Sequence, residues 1–449
     1  MKDWSIEGME KSDEYILGDK ANIAVIGGGP TGSFFSIFAL KMAKMVGKEL
    51  NITIFEPKDF TKDGPGGCNK CGGIISELLV QTLAVEGINL PDAVVRRGIN
   101  SYKLHTSQGD TSIATPYFEK TIATVYRGGG PKGMIEQGKE SFDKFLLGLA
   151  VKEGAVHKPL RIDKIEYKNK KPVLFSQKHE VVEADLVVGA FGVKGGTAKI
   201  FEGLGFGYKE PRTVTAAIAE INMGDDIVGR YFGNSIHLFF IPDKNVKFAA
   251  MIPKGSYVTL CILGKDINPG TVNDFLGASV VKRVVPDVEL DRIECRCLPK
   301  MNIGAPVKPF TDRIVMCGDA GSTRLFKDGL SAAYLTGKTA AKTAVFQGVS
   351  EQHFRKHYYP VYKSIVIDNA YGKRLYSIID ISRKSNIFTK GMLEVIRKEQ
   401  QDSHSRKVLS LILWDMFTGN ERYKNIFPKI FDVRMNCNLW KEVAKTLVY

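Results

Sequence analysis

Three glycines in the pattern Gly27-x-Gly29-x-x-Gly32 constrain this chain more than any other feature. They follow an apolar run, Asn22-Ile23-Ala24-Val25-Ile26, that reads as a buried strand, and they precede a helical pattern from Ser33 to Met45. In that setting each glycine has a physical task. Gly27 permits a tight turn, Gly29 lets backbone approach a pyrophosphate, and Gly32 lets helix and strand pack closely. Pro30 and Thr31 open the helix, whose unpaired N–H groups and positive dipole end suit an anion. A second strand, Asn51-Ile52-Thr53-Ile54-Phe55, ends in Glu56, 24 residues after Gly32, placed to accept from an adenosine ribose hydroxyl. The pattern predicts a dinucleotide site on a Rossmann-like α/β unit.

That unit is expected to be split in sequence. Residues 1–20 read as a loose, polar N-terminal arm and 21–210 as the first part of the nucleotide domain. A glycine-rich loop spans 64–73, a helix follows near 77–86, strands fall within 99–126, a helix within 133–153, and a buried strand at 185–190. Residues 211–300 change to short β-rich runs, near 213–221, 237–241, 248–252 and 257–263, which predict an inserted antiparallel sheet. Residues 301–349 return the last strand, ending at Gly318-Asp319, and a helix from about 330 to 347. Residues 350–449 are helical in pattern and basic, with 18 Lys and Arg against 10 Asp and Glu.

Composition narrows the function class. The 449 residues carry 63 Lys and Arg against 49 Asp and Glu, a net charge of +14, which favours anionic partners. Zinc-finger spacing, an RNP signature and a basic heptad region are all missing, so no nucleic-acid partner is expected. Neither Gly-x-Ser-x-Gly nor a Walker loop occurs, against hydrolase and ATPase classes. The seven cysteines are odd in number and thinly spread, unlike a secreted disulfide framework. No apolar run is long enough to span a bilayer, and the first residues lack a signal sequence, so a cytoplasmic location is expected.

The second motif, Gly318-Asp319-Ala320, again follows an apolar strand. With the split domain, it resembles the FAD-binding side of the p-hydroxybenzoate hydroxylase superfamily. That resemblance implies that Asp319 holds the ribityl chain of FAD and that the helix opening at Gly329-Leu330 points at the flavin ring. It also places Arg127 along the cofactor. The chain departs from the superfamily where Gly-Ala-Asp-Gly is usual and Gly189-Ala190-Phe191-Gly192 stands instead. Where many relatives have proline, it carries Lys327, either a counter-charge at the flavin edge or a solvated loop residue.

The third motif is Gly66-Gly67-Cys68-Asn69-Lys70-Cys71-Gly72-Gly73. Its Cys-Gly-Gly-x-Ile order, a following helix, Gly87-x-x-Leu-Pro and the pair Arg96-Arg97 resemble geranylgeranyl reductases, whose Cys-Gly-Gly loop lines the flavin. Three readings of Cys68 and Cys71 stay open. They are metal ligands with Cys295 and Cys297, a redox disulfide, or loop residues shaping the site with Cys71 nearest the flavin. No metal is expected. Phe232, His237, Phe239, Phe240 and Tyr257 are candidates to line an apolar substrate tunnel, or else plain core.

The resemblance implies an FAD-dependent oxidoreductase that reduces carbon–carbon double bonds of an isoprenoid or lipid-like substrate, with Cys71, Cys68 and Lys327 as candidate catalytic residues. NAD(P)H, ferredoxin or flavodoxin would supply electrons from outside. The alternatives are a monooxygenase of the same superfamily and an electron-relay flavoprotein. A lipid substrate and the basic C-terminal region suggest an anionic membrane surface as a partner. Val408 to Trp414, beside Arg397, Lys398, Arg406 and Lys407, is the segment expected to lie on the inner membrane face.

Overall fold

A computed structural model describes residues 13–116, 122–131, 138–193, 195–285, 290–402 and 406–448. The chain opens with β1 (Ala21–Ile26), α1 (Pro30–Met45) and β2 (Leu50–Phe55), then α2 (Glu77–Val85), whose cap Ser76 accepts from the Leu79 amide (3.3 Å). A hairpin of β3 (Ser101–Thr106) and β4 (Gly109–Ala114) precedes α3 (Phe142–Glu153), β5 (Val156–Lys158) and β6 (Leu186–Gly189). Four longer strands follow: β7 (Thr213–Asn222), β8 (Ser235–Phe240), β9 (Val246–Lys254) and β10 (Tyr257–Gly264). After β11 (Ile293–Cys297), β12 (Phe310–Thr311) and β13 (Ile314–Met316), the chain is mainly helical: α4 (Gly329–Phe346), α5 (Tyr359–Ser382), α6 (Asn386–Gln401), α7 (Val408–Thr418) and α8 (Val433–Val448).

Two sheets organise these elements. The first has the order β12-β13-β6-β1-β2-β5, parallel except for the edge strand β12. Its central strands are short apolar runs because both faces are covered by other elements. On one face α1 packs against α4, with Tyr334 edge-on to Phe34 (5.6 Å) and Phe38 (5.5 Å). The second sheet runs β11-β7-β10-β9-β8-β3-β4 and is antiparallel apart from the β8/β3 pair. One of its faces packs on Val272, Phe275 and Val281, the other on Leu375, Tyr376, Ile412 and Trp414 from the last hundred residues.

Three expectations need correction. The antiparallel sheet is not confined to 211–300: it recruits β3 and β4 from 130 residues upstream, through a parallel pairing of Ser235 with Ser101. The described end of the N-terminal arm is not loose. Leu17 is buried, Arg313 donates to the Glu14 carbonyl (2.6 Å), and the Val349 amide donates to the Tyr15 carbonyl (2.8 Å). The segment expected at a membrane forms α7 instead, with Leu409, Ile412, Leu413 and Trp414 buried and Trp414 edge-on to Tyr102 at 5.3 Å. Burying such side chains in the protein's own core stabilises it by ~1.5–3 kcal/mol each, and of the segment's apolar residues only Val408 and Leu411 stay half-buried. Part of the helix expected within 133–153 lies outside the described residues; the helix seen starts at Phe142 behind its Ser141 cap. Among the described residues no helix is long and apolar enough to cross a membrane.

Candidate functional site

The β1–α1 turn has the geometry its glycines require. Gly27 adopts φ +112°, and a Cβ there would sit 2.4 Å from the Ala190 carbonyl oxygen. A Cβ on Gly32 would lie 2.0 Å from the Gly27 oxygen, so only glycine lets α1 start this close to β1. Gly29 differs: its Cβ direction meets only Asp143 Oδ1, at 3.7 Å, and otherwise opens into a cavity. Glu56 is buried at the end of β2. Its Oε2 accepts from the Gly28 amide (3.1 Å) and its Oε1 from the Lys58 amide (3.0 Å).

The cavity is about 610 Å³ and runs from this turn to the face of the second sheet. Pro30, Thr31, Glu56, Cys71, Gly72, Gly73, Arg127, Asp319, Gly329, Leu330 and Lys327 all line it, so the structure brings together predicted residues more than 250 positions apart. Gly27, Gly32 and Gly318 shape its walls from behind. Gly318 sits at φ +59°, donates to Thr336 Oγ1 (2.9 Å), and leaves no room for a Cβ beside the Thr31 hydroxyl.

Arg127 is fixed in this wall. Its Nε and Nη2 bond Asp143 Oδ2 (2.5 Å) and Oδ1 (3.2 Å), and its Nη1 reaches Cys71 Sγ (3.8 Å). Burial opposes its charge, but Asp143 and Cys71 hold the guanidinium firmly protonated. Asn69 Nδ2 bonds the same Asp143 oxygen (2.6 Å), and Lys58 Nζ holds the Cys68 carbonyl (2.6 Å) and Asn69 Oδ1 (2.8 Å). Asp143 and Lys58 are site residues that no motif marked, and Asn69, though inside the cysteine-glycine motif, had no role assigned; only their positions behind Arg127 reveal them.

Asp319 is buried, which raises its carboxyl above the usual range against the pull of the Thr323 hydroxyl and Arg127. Asn302 Nδ2 donates to the Asp319 carbonyl (2.7 Å), while Asn302 Oδ1, buried in the cavity wall, has no partner among the described residues. Phe191 also lines the cavity and stacks on Phe201 (5.4 Å), an apolar wall where the resembled superfamily carries an acid.

Cys68 and Cys71 part company. Cys71 faces the cavity, and its Sγ accepts from the Gly73 amide (3.5 Å). Cys68 does not line it; burial pushes its thiol up, helped by Glu220 and opposed by the Lys70 amide and the Lys58 ammonium. None of the seven cysteines forms a disulfide. Among the described residues no three His, Cys, Asp or Glu side chains form a metal-holding group, so Cys68, Cys71, Cys295 and Cys297 do not converge on one. Cys261, unremarked in the sequence, stands on β10 against the Gly72 backbone; burial pushes its thiol up to about 12.

Lys327 is the site's displaced cation. Burial pushes its ammonium down to about 8, only partly opposed by Cys261 and Cys71, and Nζ lies 5.5 Å from the Phe248 ring. Its neighbours Phe326 (φ +62°) and Asp328 (φ +58°) both adopt the left-handed region, a strained placement for non-glycine residues. The C-terminal helices hold this loop. Asn369 accepts from the Leu325 amide (2.8 Å) and donates to the Thr323 carbonyl (2.8 Å), and Tyr423 Oη donates to the Leu325 carbonyl (2.6 Å). Arg324 pairs with Asp328 (2.9 Å), stands 3.6 Å from Asp368, and donates to the Gly419 and Glu421 carbonyls.

Opposite Lys327 the cavity wall is the sheet face of Ala216, Ile218, Ala250, Ile252 and Leu263, with Phe248. The aromatics expected to form a tunnel are elsewhere. Phe232, His237 and Phe239 are buried on the opposite face, Phe240 packs on Phe417, and Tyr257 clusters with Tyr126. Alternation explains the miss: neighbouring strand residues face opposite sides, and of the sheet's rings Phe248, not Phe232 or Phe239, faces the cavity beside the aliphatic residues. Arg96 and Arg97 stand outside it, over the Tyr126 ring and on the Gly233 carbonyl.

The residues present fit a dinucleotide: an open glycine at a helix N-terminus, an acid at the next strand end, a fixed arginine and a buried asparagine oxygen without a partner. Neither a protein-family model nor a curated protein matches the sequence. Solved structures do match. A geranylgeranyl bacteriochlorophyll reductase-like protein from Thermoplasma acidophilum superposes with TM-score 0.63 at 15% identity, over 92% of this chain and 98% of that one. A flavoprotein/dehydrogenase from Cytophaga hutchinsonii gives 0.61 at 16% identity, over 94% and 99%. A p-nitrophenol 4-monooxygenase from Pseudomonas putida gives 0.52 at 13% identity, over 84% and 97%. At such identities the likeness is one of fold: this chain has the α/β, Rossmann-type architecture of these flavoproteins, with the helical C-terminal region that its sequence predicts.

Proposed function

We propose that the chain is an FAD-dependent oxidoreductase that reduces carbon–carbon double bonds of an isoprenoid or lipid-like substrate. The observation that carries the reading is the far end of the cavity, where a cationic Lys327 and the Cys71 thiol meet an apolar sheet wall of alanine, isoleucine, leucine and one phenylalanine. FAD, when bound, supplies the hydride. The Gly29 turn and the N-terminus of α1 would hold its pyrophosphate, Glu56 its adenosine ribose, and Arg127 and Asp319 the stretch between. The first turn of α4, at Gly329 and Leu330, would present N–H groups to the ring's polar edge.

The chain's own contribution to the chemistry is placement and a proton. An alkene has no polar handle, so only shape and apolar contact can orient it, and Ala216, Ala250 and Ile252 offer a smooth wall for that. Reduction also needs a proton at the carbon next to the one receiving hydride. Lys327, half-charged near pH 8, is matched to giving one up near neutrality, as a free lysine is not.

The test is direct. Purified protein is extracted for FAD, reduced with dithionite without oxygen, and mixed with a lipid bearing a geranylgeranyl chain. A mass gain of two hydrogens per double bond, with reoxidation of the flavin spectrum, is expected. A colourless protein free of FAD, or product that forms only with oxygen and contains it, would overturn the reading, the second in favour of a monooxygenase.

A further inference from the structure

The last helix is apolar on two sides. Met435, Leu439 and Val443 on α8 are buried against α6, where Gly391 lets the two helices approach: a Cβ there would lie 2.7 Å from Val443 Cγ2. A second stripe consists of Val433, Cys437, Trp440, Ala444 and Leu447, at alternating steps of four and three, and every one is exposed. Trp440 is 61% exposed and Val433 77%. A soluble helix ordinarily buries its large apolar residues on one face and keeps charge on the other.

The stripe continues onto its neighbours. Phe431, 66% exposed at the turn before α8, touches Phe427 (5.6 Å), which touches Tyr371 on α5 (5.5 Å). Trp440 meets Phe388 at the start of α6 (6.3 Å), and Ile378 and Ile381 lie exposed at the end of α5. Exposed cations accompany this surface: Arg374, Lys384, Lys390, Arg434 and Lys441. The acids of α5, α6, α8 and the turn before α8 are already engaged. Asp368 pairs with Arg324, Asp380 with Lys247 and Arg383, Glu394 with Arg397, and Glu442 with Lys398 and Lys445, while Glu399 accepts from the Ser410 amide and Asp432 from the Met435 amide.

We propose that this face, and not α7, lies on an anionic lipid bilayer, with Trp440 and Phe431 at headgroup depth. Aromatic and branched residues between lysines and arginines match an interface that is apolar below and negative above. A second copy of the chain fits less well, because a two-fold pairing of this face would bring its cations, Arg434 and Lys441 among them, against the same set of cations on the partner copy. The surface is separate from the cavity, so the proposal stands whatever the substrate is.

The experiment uses the full chain with phosphatidylcholine vesicles, with and without phosphatidylglycerol, in low and high salt. Binding at low salt to the anionic vesicles is expected, at least about 10-fold stronger than to the neutral ones and weakened by salt, since each nearby cation contributes roughly fivefold. Tryptophan emission should shift to the blue on binding, and the shift should vanish in Trp440→Phe, which assigns it to Trp440 and not to Trp4 or the buried Trp414. Arg434→Glu with Lys441→Glu should lower binding at least about 10-fold; both positions are exposed, and circular dichroism checks that the variant is folded. Three results would overturn the proposal. They are no binding by natively folded protein, binding untouched by these substitutions, and a dimer in sedimentation equilibrium that Trp440→Ser dissolves.

Discussion

Lysine 327 has a cost that its removal should expose. Burial lowers its ammonium from an ordinary 10.5 to about 8, so the unfolded chain binds the proton more tightly than the folded one. The sign follows from linkage: between pH 8 and 10.5 the unfolded state holds more protons, and stability rises with pH across that window. Below pH 8 the folded protein carries the whole penalty, at most about 3 kcal/mol for a shift of this size. Lys327→Met keeps the stem against Phe248 and removes the charge. It should raise the melting temperature of FAD-free protein at pH 7 by up to roughly 3 °C, given the usual unfolding entropy of a chain this long. At pH 10.5 the gain should shrink to near zero. Scanning fluorimetry at the two pH values reads both numbers, and double-bond reduction should be lost in the same variant. An equal gain at both pH values, or a loss at pH 7, would refute the reasoning, because then Lys327 is solvated or paired and not a displaced proton donor.

The two glycine classes should separate. Gly29→Val should fold and melt normally without FAD yet retain little of it, because its side chain enters only the cavity; Gly32→Ala should lose stability itself, with a Cβ 2.0 Å from backbone. Flavin content and melting temperature of both variants check this. Cys71→Ser should slow double-bond reduction with FAD retained, whereas Cys68→Ser should leave turnover nearly unchanged, since only Cys71 faces the cavity; equal loss in both, tied to redox state, would instead indicate a disulfide. Asn369→Ala removes two hydrogen bonds from the 323–325 loop, about 1–3 kcal/mol in all, and should cut turnover while leaving FAD bound, as measured by anaerobic single-turnover rates.

The glycine-turn end of the candidate site was legible because its demands are local. A turn, a helix N-terminus and an acid at a strand end are set by residues within one βαβ unit, so Gly27 to Glu56 can be read from spacing. Asp319, too, could be found from its strand-then-glycine context. What could not be read depends on contacts across the chain. Asp143 and Asn69 matter because Arg127 folds onto them, and no periodicity announces that. The membership of β3 and β4 in the second sheet follows from a parallel pairing with β8, which short alternating runs do not encode. Val408 to Trp414 misled for a related reason: an apolar helix beside cations looks alike whether it meets lipid or its own core, and only the partner strands decide.

The clamp on the 323–329 loop also orders events in time. The strands and glycines that would hold the nucleotide are complete once residue 346 has been made, but the loop that carries Lys327 is gripped by Asn369, Gly419, Glu421 and Tyr423. Its left-handed residues have little reason to hold their conformation before those partners arrive. A nascent chain emerging from the ribosome would therefore bring its nucleotide half together first and finish the reacting end last. A half-made molecule could bind nucleotide before it had any means of placing a proton.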